Sequence, residues 1–354
     1  MKRLLTIGLV MSCLIQSVFA VEEVDDTQSD DMKHLDKISK RDKVDETVEK
    51  ALAYLMTQQD PVKGSFKGDK PNALTALSCM AMMAAGHFPG RSKYGENLRR
   101  GVMFLTRSGK QYNGYYGNES NARMYGHGMC ALALCEAYGM MQDEKENMKV
   151  KKACEAAIKV ILHAQAKSGN NKGGWRYSPQ PGAADLSVTA WQILALRAAQ
   201  NCQLEVPDKA IEDAIGYLKR SYHVGGKGCG YTPGGGPSVA MRSAGIVCMQ
   251  ALGVNKTKEE KAMVSNAAAY LTTLNPSGGS YFYYQSYYLA TAANVAGKQY
   301  RDIFLPKMEK VLLDLQMPSG EMKKHSGAQG GVYSTAFGVI CLAVGYQYLP
   351  IYQE

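Results

Sequence analysis

The chain repeats one short pattern about six times, in which glycines flank an aromatic residue and a helix of small and apolar residues follows. The clearest copy is Gly173–Leu196, with the sequence GGWRYSPQPGAADLSVTAWQILAL. Successive aromatic residues of the pattern are separated by 50, 59, 56, 51 and 51 positions. Recurrence at such a period predicts a repeat architecture, in which each unit buries its apolar surface against its neighbours. The six aromatic residues are Phe66, Tyr116, Trp175, Tyr231, Phe282 and Tyr333.

Two kinds of helix alternate along this repeat. One kind is amphipathic and charged, as in Asp208–Arg220, and the other carries almost no charge, as in Ser243–Leu252. A helix that is apolar on all sides is expected to be buried, so the uncharged helices should form an inner ring and the charged helices an outer ring. Six such pairs predict an all-α fold, an α6/α6 toroid over residues 44–354. The alternative is an open helical solenoid, which normally needs polar capping repeats that the pattern does not show.

The N-terminal residues carry the features of an export signal. A basic start, an apolar run and small residues at the cleavage offsets predict a signal peptide over residues 1–20. The run is too short to span a membrane stably, so we expect an exported protein, periplasmic or extracellular, without a transmembrane span after cleavage. An uncleaved signal anchor is the alternative. Cys13 follows a poor match to a lipoprotein cleavage box, so a lipid anchor is not expected. Residues 21–43 are dense in charge and predict a disordered leader.

Charge and cysteine usage limit the partners that the chain can have. The net charge is +9, yet no basic run is longer than a few residues and aromatic and basic residues do not alternate. We therefore predict no nucleic-acid partner, whereas an envelope protein or an anionic envelope polymer remains compatible with the charge. The sequence has nine cysteines and no Cys-x-x-Cys pair. Those inside apolar helical patterns, such as Cys130 and Cys135, are predicted to be small core residues.

Four segments resemble the terpenoid cyclase and protein prenyltransferase superfamily, namely GGWRYSPQPGAADLSVTAWQILALRAA, PDKAIEDAIGYLKRSY, SYFYYQSYYLATAA and GGVYSTAFGVICLAVGYQYLPIY. The resemblance runs from about residue 44 to the C-terminus. It is greatest to the squalene-cyclase-like repeat domains of exported proteins from planctomycete-type bacteria. It implies an α/α toroid and an isoprenoid or lipid ligand, and its motifs are specific for the fold rather than for a reaction.

The residues that carry the chemistry of this superfamily are replaced. Squalene–hopene cyclases have an Asp-x-Asp-Asp-Thr-Ala motif whose middle aspartic acid protonates the polyene, and the segment that resembles it is Asp185–Ala190. Ser187 stands at the protonating position and Val188 follows it. A serine hydroxyl is far too weak an acid to protonate an alkene. Protein prenyltransferases bind zinc through an Asp-x-Cys pair, and Ser187 removes the thiolate. We therefore predict neither a metal site nor another cofactor.

Asp185 is the candidate catalytic residue. It could orient a substrate or act as a base at the mouth of the toroid, or it could be the N-cap of the helix that begins at Leu186. Trp191 lies in the same helix and could line a cavity, where an aromatic face stabilises cations, or could pack between helices. The densest aromatic cluster supplies three further candidate ligand-binding residues, at least one of which should face the interior. These are Tyr284, Tyr287 and Tyr288.

Basic residues near the starts of inner helices complete the set of candidates. His127 is the one histidine within an inner-helix pattern, and it could contact a ligand or be a satisfied core residue. Arg123, Arg176 and Arg242 lie near the starts of three inner helices. If those helices are parallel, the guanidinium groups would gather at one rim, where helix N-termini favour a phosphate or a carboxylate. Pairing with local carboxylates is the alternative.

Two functions follow from these residues. The favoured one is a binding or interaction module for an isoprenoid, a lipid or an envelope partner. The alternative is an enzyme of the terpenoid-cyclase type, an isomerase or a transferase, with a non-standard active site around Asp185. A ligand-sized aromatic cavity faced by Asp185 would favour chemistry, whereas a centre filled by Met and Leu side chains would exclude it.

Overall fold

The computed structural model describes residues 43–119, 121–325 and 330–352. The predicted signal peptide, Cys13 and all of the predicted leader except Lys43 lie outside these ranges. The described residues form twelve α-helices, four short 3-10 helices and one antiparallel ribbon of Tyr222–His223 (β1) and Gly228–Cys229 (β2). In chain order, the helices are α1 Lys43–Thr57, α2 Pro71–Ala84, α3 Gly95–Gln111, α4 Arg123–Ala137, α5 Glu144–Ala164, α6 Leu186–Asn201, α7 Asp208–Ser221, α8 Val239–Ala251, α9 Lys258–Ala268, α10 Phe282–Val295, α11 Lys298–Asp314 and α12 Val332–Ala343.

The even-numbered helices form a closed inner ring, and the odd-numbered helices lie outside it. Each even-numbered helix packs against the next one, and α12 packs back against α2. The order of contacts is therefore circular, and the helices of the described ranges leave no open end of the kind that a solenoid presents. The predicted α6/α6 toroid is confirmed, and the open solenoid is wrong.

Burial follows the two kinds of helix. In α6, polar residues such as Thr189 and Gln192 are as buried as their apolar neighbours, because the helix is surrounded by other helices. In α7, burial is confined to one stripe that includes Ala214, Tyr217 and Leu218, and the remaining surface is charged. A helix with one apolar stripe is stable only at the periphery of a core. The charge pattern of the sequence thus assigns each helix to its ring.

The glycine–aromatic turns attach the outer helices to the inner ones. The backbone N–H of Trp175 donates to Thr189 Oγ1 of α6 at 2.9 Å, and its indole Nε1 donates to the Ile161 carbonyl of α5 at 2.7 Å. The two N–H groups of one turn residue therefore bind one acceptor in the inner helix and one in the outer helix. Other repeats make the same bond between a turn N–H and an inner-helix side chain. The equivalent pairs are Phe66 with Thr75, Tyr116 with His127, and Met322 with Thr335.

In several repeats, a glutamine after the outer helix links the repeat to the next one. The Gln165 amide donates to the carbonyl oxygens of Gly173 at 3.2 Å and of Ala210, in α7, at 2.9 Å. Gln316 makes the corresponding bond across the junction of the ring, to the Thr47 carbonyl of α1 at 2.8 Å. The last repeat is therefore hydrogen-bonded to the first, which fixes the closure of the outer ring.

Two of the turn glycines are required by close approach as well as by backbone conformation. Gly173 has φ +86°, and a Cβ there would lie 1.8 Å from the carbonyl oxygen of Asp213. Gly320 has φ +88°, and a Cβ there would lie 2.2 Å from the carbonyl oxygen of Lys50. A residue with a side chain is strained at positive φ and would also displace the neighbouring outer helix. The glycines of the repeat thus allow the turn to contact the next unit.

The structure corrects the positions of three aromatic markers. Phe66, Tyr116 and Trp175 are the buried turn residues, as the repeat predicts. Tyr231 is 38% exposed, which leaves it outside the core. The other two markers, Phe282 and Tyr333, lie in the first turns of α10 and α12 rather than in the turns before them. The sixth turn uses Met322. An aromatic residue in the first turn of an inner helix follows a glycine just as a turn aromatic does, so the local pattern does not separate the two.

The C-terminal segment covers part of the end of the toroid at which the inner helices terminate. The 3-10 helix Pro350–Tyr352 packs against α6, and Leu349 is buried. The backbone N–H of Ile351 donates to the buried carboxyl group of Glu136 in α4. Among the helices of the described ranges, none is long and apolar enough to cross a membrane.

Candidate functional site

A cavity of about 840 Å³ lies where the inner helices begin, at the centre of the ring. All six inner helices contribute their N-terminal turns to its wall, and the turns between helices supply its rim. This volume is in the range of sites for small organic ligands. The main lining residues are Ala73, Leu74, Leu77, Tyr125, Met129, Tyr177, Ser187, Tyr231, Val239, Ala240, Met241, Tyr281, Tyr284, Gln285 and Tyr333.

Six tyrosines dominate one part of the wall, and aliphatic and methionine side chains form the rest. Burial raises the pKa of Tyr125, Tyr284 and Tyr333 well above the ordinary value, so these hydroxyls are neutral at physiological pH. A neutral phenol offers an apolar face and one polar atom that both donates and accepts. The cavity is therefore an amphipathic surface. No Asp or Glu of the described residues lines it.

Asp185 lies behind this wall, as the N-cap of α6. Its Oδ1 accepts hydrogen bonds from the Val188 N–H at 3.0 Å and from the Ser187 hydroxyl at 2.6 Å. The side chain is fully buried, and its Oδ2 lies 3.7 Å from Nε of Arg176. The Tyr125 hydroxyl is hydrogen-bonded to the Ser187 hydroxyl. Asp185 is thus connected to the cavity through two hydroxyl groups and does not itself line it.

This arrangement determines what Asp185 could do chemically. Its Oδ1 has two donors, whereas its buried Oδ2 accepts no hydrogen bond and has only the Arg176 guanidinium group nearby. A proton could pass between the cavity and Asp185 only through the Tyr125 and Ser187 hydroxyls. The site therefore offers a hydrogen-bonded series that reaches a carboxyl group, and none of the described residues places an acid in direct contact with the ligand space, as protonation of a polyene would need.

Hydrogen bonds at the cavity join residues from opposite sides of the ring. The Tyr284 hydroxyl of α10 donates to the backbone oxygen of Ser187 at 3.2 Å, although 97 positions separate the two residues. Tyr177 and Tyr231, at the rim, share a hydrogen bond of 2.7 Å between their hydroxyls. These contacts within the protein fix the orientations of three of the tyrosines that line the cavity.

Trp191 and two of the predicted tyrosines form an aromatic layer one helical turn further along the inner helices. The Trp191 ring stacks on Tyr287 with centroids 5.1 Å apart and an interplanar angle of 4°. Tyr288 packs edge-on against Trp191 at 5.9 Å, and Phe337 also contacts the indole. All four side chains are fully buried, and none lines the cavity. The structure thus places Trp191, Tyr287 and Tyr288 in a layer beneath the residues that line the cavity, and of the predicted aromatic residues only Tyr284 reaches the ligand space.

His127 also lies away from the cavity. Its Nδ1 accepts from the Tyr116 N–H at 3.4 Å, so Nε2 carries the proton and donates to the Ala157 carbonyl at 3.1 Å. Burial lowers the pKa of His127 to about 4, which makes the ring neutral at physiological pH. The residue occupies the place that Thr189 has in the next repeat, and it therefore joins a turn to an inner helix.

Two of the three arginines come together. Arg123 and Arg176 line a second, more open cavity of about 550 Å³, and both guanidinium groups lie over the Tyr177 ring, at 5.6 and 5.1 Å from its centroid. Tyr177 also lines the central cavity, so the two spaces are adjacent. Arg242 is held elsewhere, because it donates to the Gly226 carbonyl at 2.8 Å and lies over the Tyr270 ring. The predicted rim of three arginines is therefore a pair.

Sequence reasoning missed most of the tyrosines that form the wall. Tyr125, Tyr281 and Tyr333 each lie at or within the first turn of an inner helix, and Tyr177 and Tyr231 each follow a turn. Their common position, at the start of an inner helix or in the turn that leads to it, is a sequence signal that could have identified them as lining residues. The described residues contain no group of three or more His, Cys, Asp or Glu side chains arranged to hold a metal ion.

Comparison with known proteins identifies the fold. No family profile matches the sequence, and no curated protein does. Solved structures do match. The GH76A α-1,6-mannanase of Salegentibacter sp. HEL1_6 aligns with a TM-score of 0.62 at 11% identity, over 87% of this chain and 100% of that one. The type II terpene cyclase MstE of Scytonema aligns with a TM-score of 0.54 at 15% identity, over 87% of this chain and 99% of that one. At such identities the likeness shows the fold alone, and the chain shares the α/α toroid of these enzymes.

Proposed function

We propose that the toroid is a binding module that holds one amphipathic ligand, with an isoprenoid or lipid chain in the central cavity and an anionic head group at Arg123 and Arg176. The observation that carries this proposal is the cavity of about 840 Å³, walled by neutral tyrosines and aliphatic side chains, beside a pair of arginines. Burial of an apolar chain there is favourable by about 25 cal/mol per Å² removed from water.

The composition of the wall favours an apolar chain over a sugar. The MstE cyclase has been solved with geranylgeranyl dihydroxybenzoate and the GH76A mannanase with α-1,6-mannotriose, so proteins of this fold hold both kinds of ligand. Glycoside hydrolysis generally needs two carboxyl groups at the scissile bond, and within the described residues none lines this cavity. Ala73, Leu74, Leu77, Met129 and Val239 offer a sugar no hydrogen bonds.

Direct binding measurements test this proposal. Farnesyl phosphate is titrated into the protein by calorimetry, and farnesol serves as the matched probe without the anion. We expect both to bind, and farnesyl phosphate to bind more tightly. Failure of both probes to bind, together with the absence of any co-purifying lipid in native mass spectrometry, would contradict the proposal.

Variants assign the two parts of the ligand to the two parts of the site. Ala240→Phe narrows the central cavity and should weaken both probes, whereas Ala262→Phe, at an exposed position of α9, should not. Arg123→Gln should reduce the preference for farnesyl phosphate by about tenfold, since a charge-assisted hydrogen bond contributes about 1.5–3 kcal/mol. Arg242→Gln is the matched control, because this arginine lines neither cavity.

The hydrogen-bonded series Asp185–Ser187–Tyr125 supports a second candidate, an enzyme that removes a proton from the bound ligand. In that case Tyr125→Phe would leave probe affinity within about twofold and abolish conversion of the native ligand, because only the path for the proton is lost. If the co-purified ligand is recovered unchanged from the wild-type protein after prolonged incubation, the protein is not an enzyme for that ligand, and the proposal of a binding module stands.

A further inference from the structure

A groove continues outward from the arginine pair along the surface of the toroid. The cavity of Arg123 and Arg176 shares three lining residues with a further open space of about 530 Å³, which we call the outer groove. The shared residues are Tyr115, Pro179 and Gln180. Because Tyr177 lines both the arginine cavity and the central cavity, the three spaces are adjacent in the order central cavity, arginine pair, outer groove.

One outer helix and two turns form the walls of the outer groove. Its α5 residues lie between positions 152 and 163 at helical spacing, so they share one face, which is about 16 Å long at a rise of about 1.5 Å per residue. Gly114 has φ +88°, and a Cβ there would lie 2.6 Å from the Ala156 carbonyl oxygen, so the turn before α4 lies directly against α5. On the other side, His163 Nε2 and Gln180 Oε1 are hydrogen-bonded at 3.2 Å, which joins α5 to the turn before α6.

The outer groove offers aromatic faces beside polar groups. Tyr112 is 43% exposed, and the half-buried Tyr115 ring lies 5.5 Å from the His127 ring. Asn113 and Gln180 add amide groups that both donate and accept. A sugar has an apolar C–H face that can lie on an aromatic ring and hydroxyl groups that can bind the amides. An apolar chain would remove water from these amides without replacing their hydrogen bonds, so the groove suits a saccharide better than a lipid chain.

The charge of the outer groove favours an acidic saccharide. Lys152 and Lys159 are exposed and lie two helical turns apart on the groove face of α5. The groove also has one carboxylate among the described residues, that of Glu155, which lies 4.0 Å from the ammonium group of Lys151. The two lysines therefore outweigh this carboxylate, and the arginine pair adds to the positive charge. Such a surface attracts an anionic group on the ligand.

We propose that the ligand of the toroid is an acidic saccharide joined through a phosphate to an isoprenoid chain, and that the saccharide occupies the outer groove. The saccharide adds a third part to the amphipathic ligand described above, so its assignment rests on the proposed function. The order of the three spaces is the order of the groups in such a molecule. The apolar chain lies in the central cavity, the phosphate lies at Arg123 and Arg176, and the sugar rings follow along α5.

Three ligands that share the farnesyl phosphate part test the assignment by calorimetry on the full chain. The first is farnesyl phosphate itself, and the second carries cellobiose on the phosphate. The third carries cellobiouronic acid, in which the terminal glucose is replaced by glucuronic acid. We expect the affinity to increase in this order. The gain from the carboxylate should decrease at higher ionic strength, because salt screens exposed charges.

Variants locate the saccharide in the outer groove. Lys159→Gln should reduce the preference for the acidic over the neutral disaccharide by about two- to fivefold, which is the range of a solvent-exposed ion pair. Lys261→Gln, at an exposed position of α9, removes the same charge elsewhere and should leave the preference unchanged. Tyr112→Ala should weaken the binding of both disaccharide ligands severalfold. Tyr112→Phe keeps the aromatic face and should restore it.

The outcomes distinguish the saccharide site from the rest of the proposed ligand. If farnesyl phosphate binds and neither disaccharide increases the affinity, or if the acidic disaccharide binds no more tightly than the neutral one, the proposal is overturned while the proposed function stands. An equal loss of preference in Lys159→Gln and Lys261→Gln would assign the effect to overall charge and would also overturn it. Failure of both farnesyl phosphate and farnesol to bind would overturn the proposed function, and the saccharide site with it.

Discussion

The Ser187 hydroxyl donates a hydrogen bond of 2.6 Å to the carboxylate of Asp185. The residue that occupies the place of the acid in the resembling cyclase motif is therefore a link, with Asp185 on one side and the Tyr125 hydroxyl on the other. The segment forms the capped start of α6, in which a carboxyl group, a serine and a tyrosine are hydrogen-bonded in series.

Asp185→Ala should destabilise the protein by about 1–2 kcal/mol, because the helix α6 loses its N-cap and the Ser187 hydroxyl loses its acceptor. Asp185→Asn should cost less, since the amide oxygen can still accept from the Val188 N–H. Urea denaturation at pH 7 measures both. Equal stability of the wild-type and Asp185→Ala proteins would show that the cap contributes nothing, and would leave a functional role as the reason for the residue.

His127 should make stability depend on pH. Burial lowers the pKa of His127 to about 4, and in the unfolded chain a histidine titrates near 6.5. Between these values the unfolded state binds the proton and the folded state does not, so the stability that His127 contributes falls as pH decreases from about 6.5 to about 4, by at most about 1.4 kcal/mol per pH unit.

His127→Gln isolates this effect, because glutamine can still accept from the Tyr116 N–H but does not titrate. The difference in free energy of unfolding between the wild type and this variant should shrink as pH falls through that window, while the contributions of other groups cancel. A difference that stays constant with pH would mean that the buried imidazole is protonated in both states.

Glu136 should have the opposite effect. Burial raises the pKa of Glu136 to about 8, against only one bond from the Ile351 N–H that favours the charged form. The folded state therefore binds a proton more tightly than the unfolded one, and this contribution is complete below about pH 4.5 and is lost as pH rises through about 8.

Glu136→Gln should consequently become more stable than the wild type as pH rises, by on the order of 1 kcal/mol per pH unit between pH 5 and 8. Thermal denaturation across this range provides the measurement. Parallel curves for the two proteins would show that the carboxyl group is hydrated and ionised in the folded state.

The inner ring should tolerate no added volume at Gly128. A Cβ there would lie 2.7 Å from both Trp191 Cβ and Gln192 Nε2, so Gly128→Ala must push α4 away from α6 and should cost about 1–3 kcal/mol. Gly216, in the outer helix α7, has only the flexible end of Arg220 nearby, at 3.1 Å. Gly216→Ala should therefore stabilise the protein by up to about 1 kcal/mol, as alanine is the better helix former. Urea midpoints that move in the same direction for both variants would contradict this account.

The fold could be predicted because its causes are local. The absence of charge in Ser243–Leu252 and the amphipathic pattern of Asp208–Arg220 assign each helix to its ring, and the glycine turns set the period. The positions of the last three markers could not be predicted in this way, since an aromatic residue after a glycine looks the same in a turn as in the first turn of a helix. The repeated glutamines, such as Gln165, were overlooked because their partners lie in the next unit.

The sequence by itself determined the two rings and the number of units, because each depends on residues close together in the chain. Only the tertiary structure decided which of the candidates share a site. The ring brings Tyr284 to Ser187 and separates Arg242 from Arg123 and Arg176. These distances depend on the rotation of every inner helix about its axis. In a helix that is buried on all sides, the hydrophobic pattern is nearly uniform and leaves that rotation unspecified, so packing alone sets it.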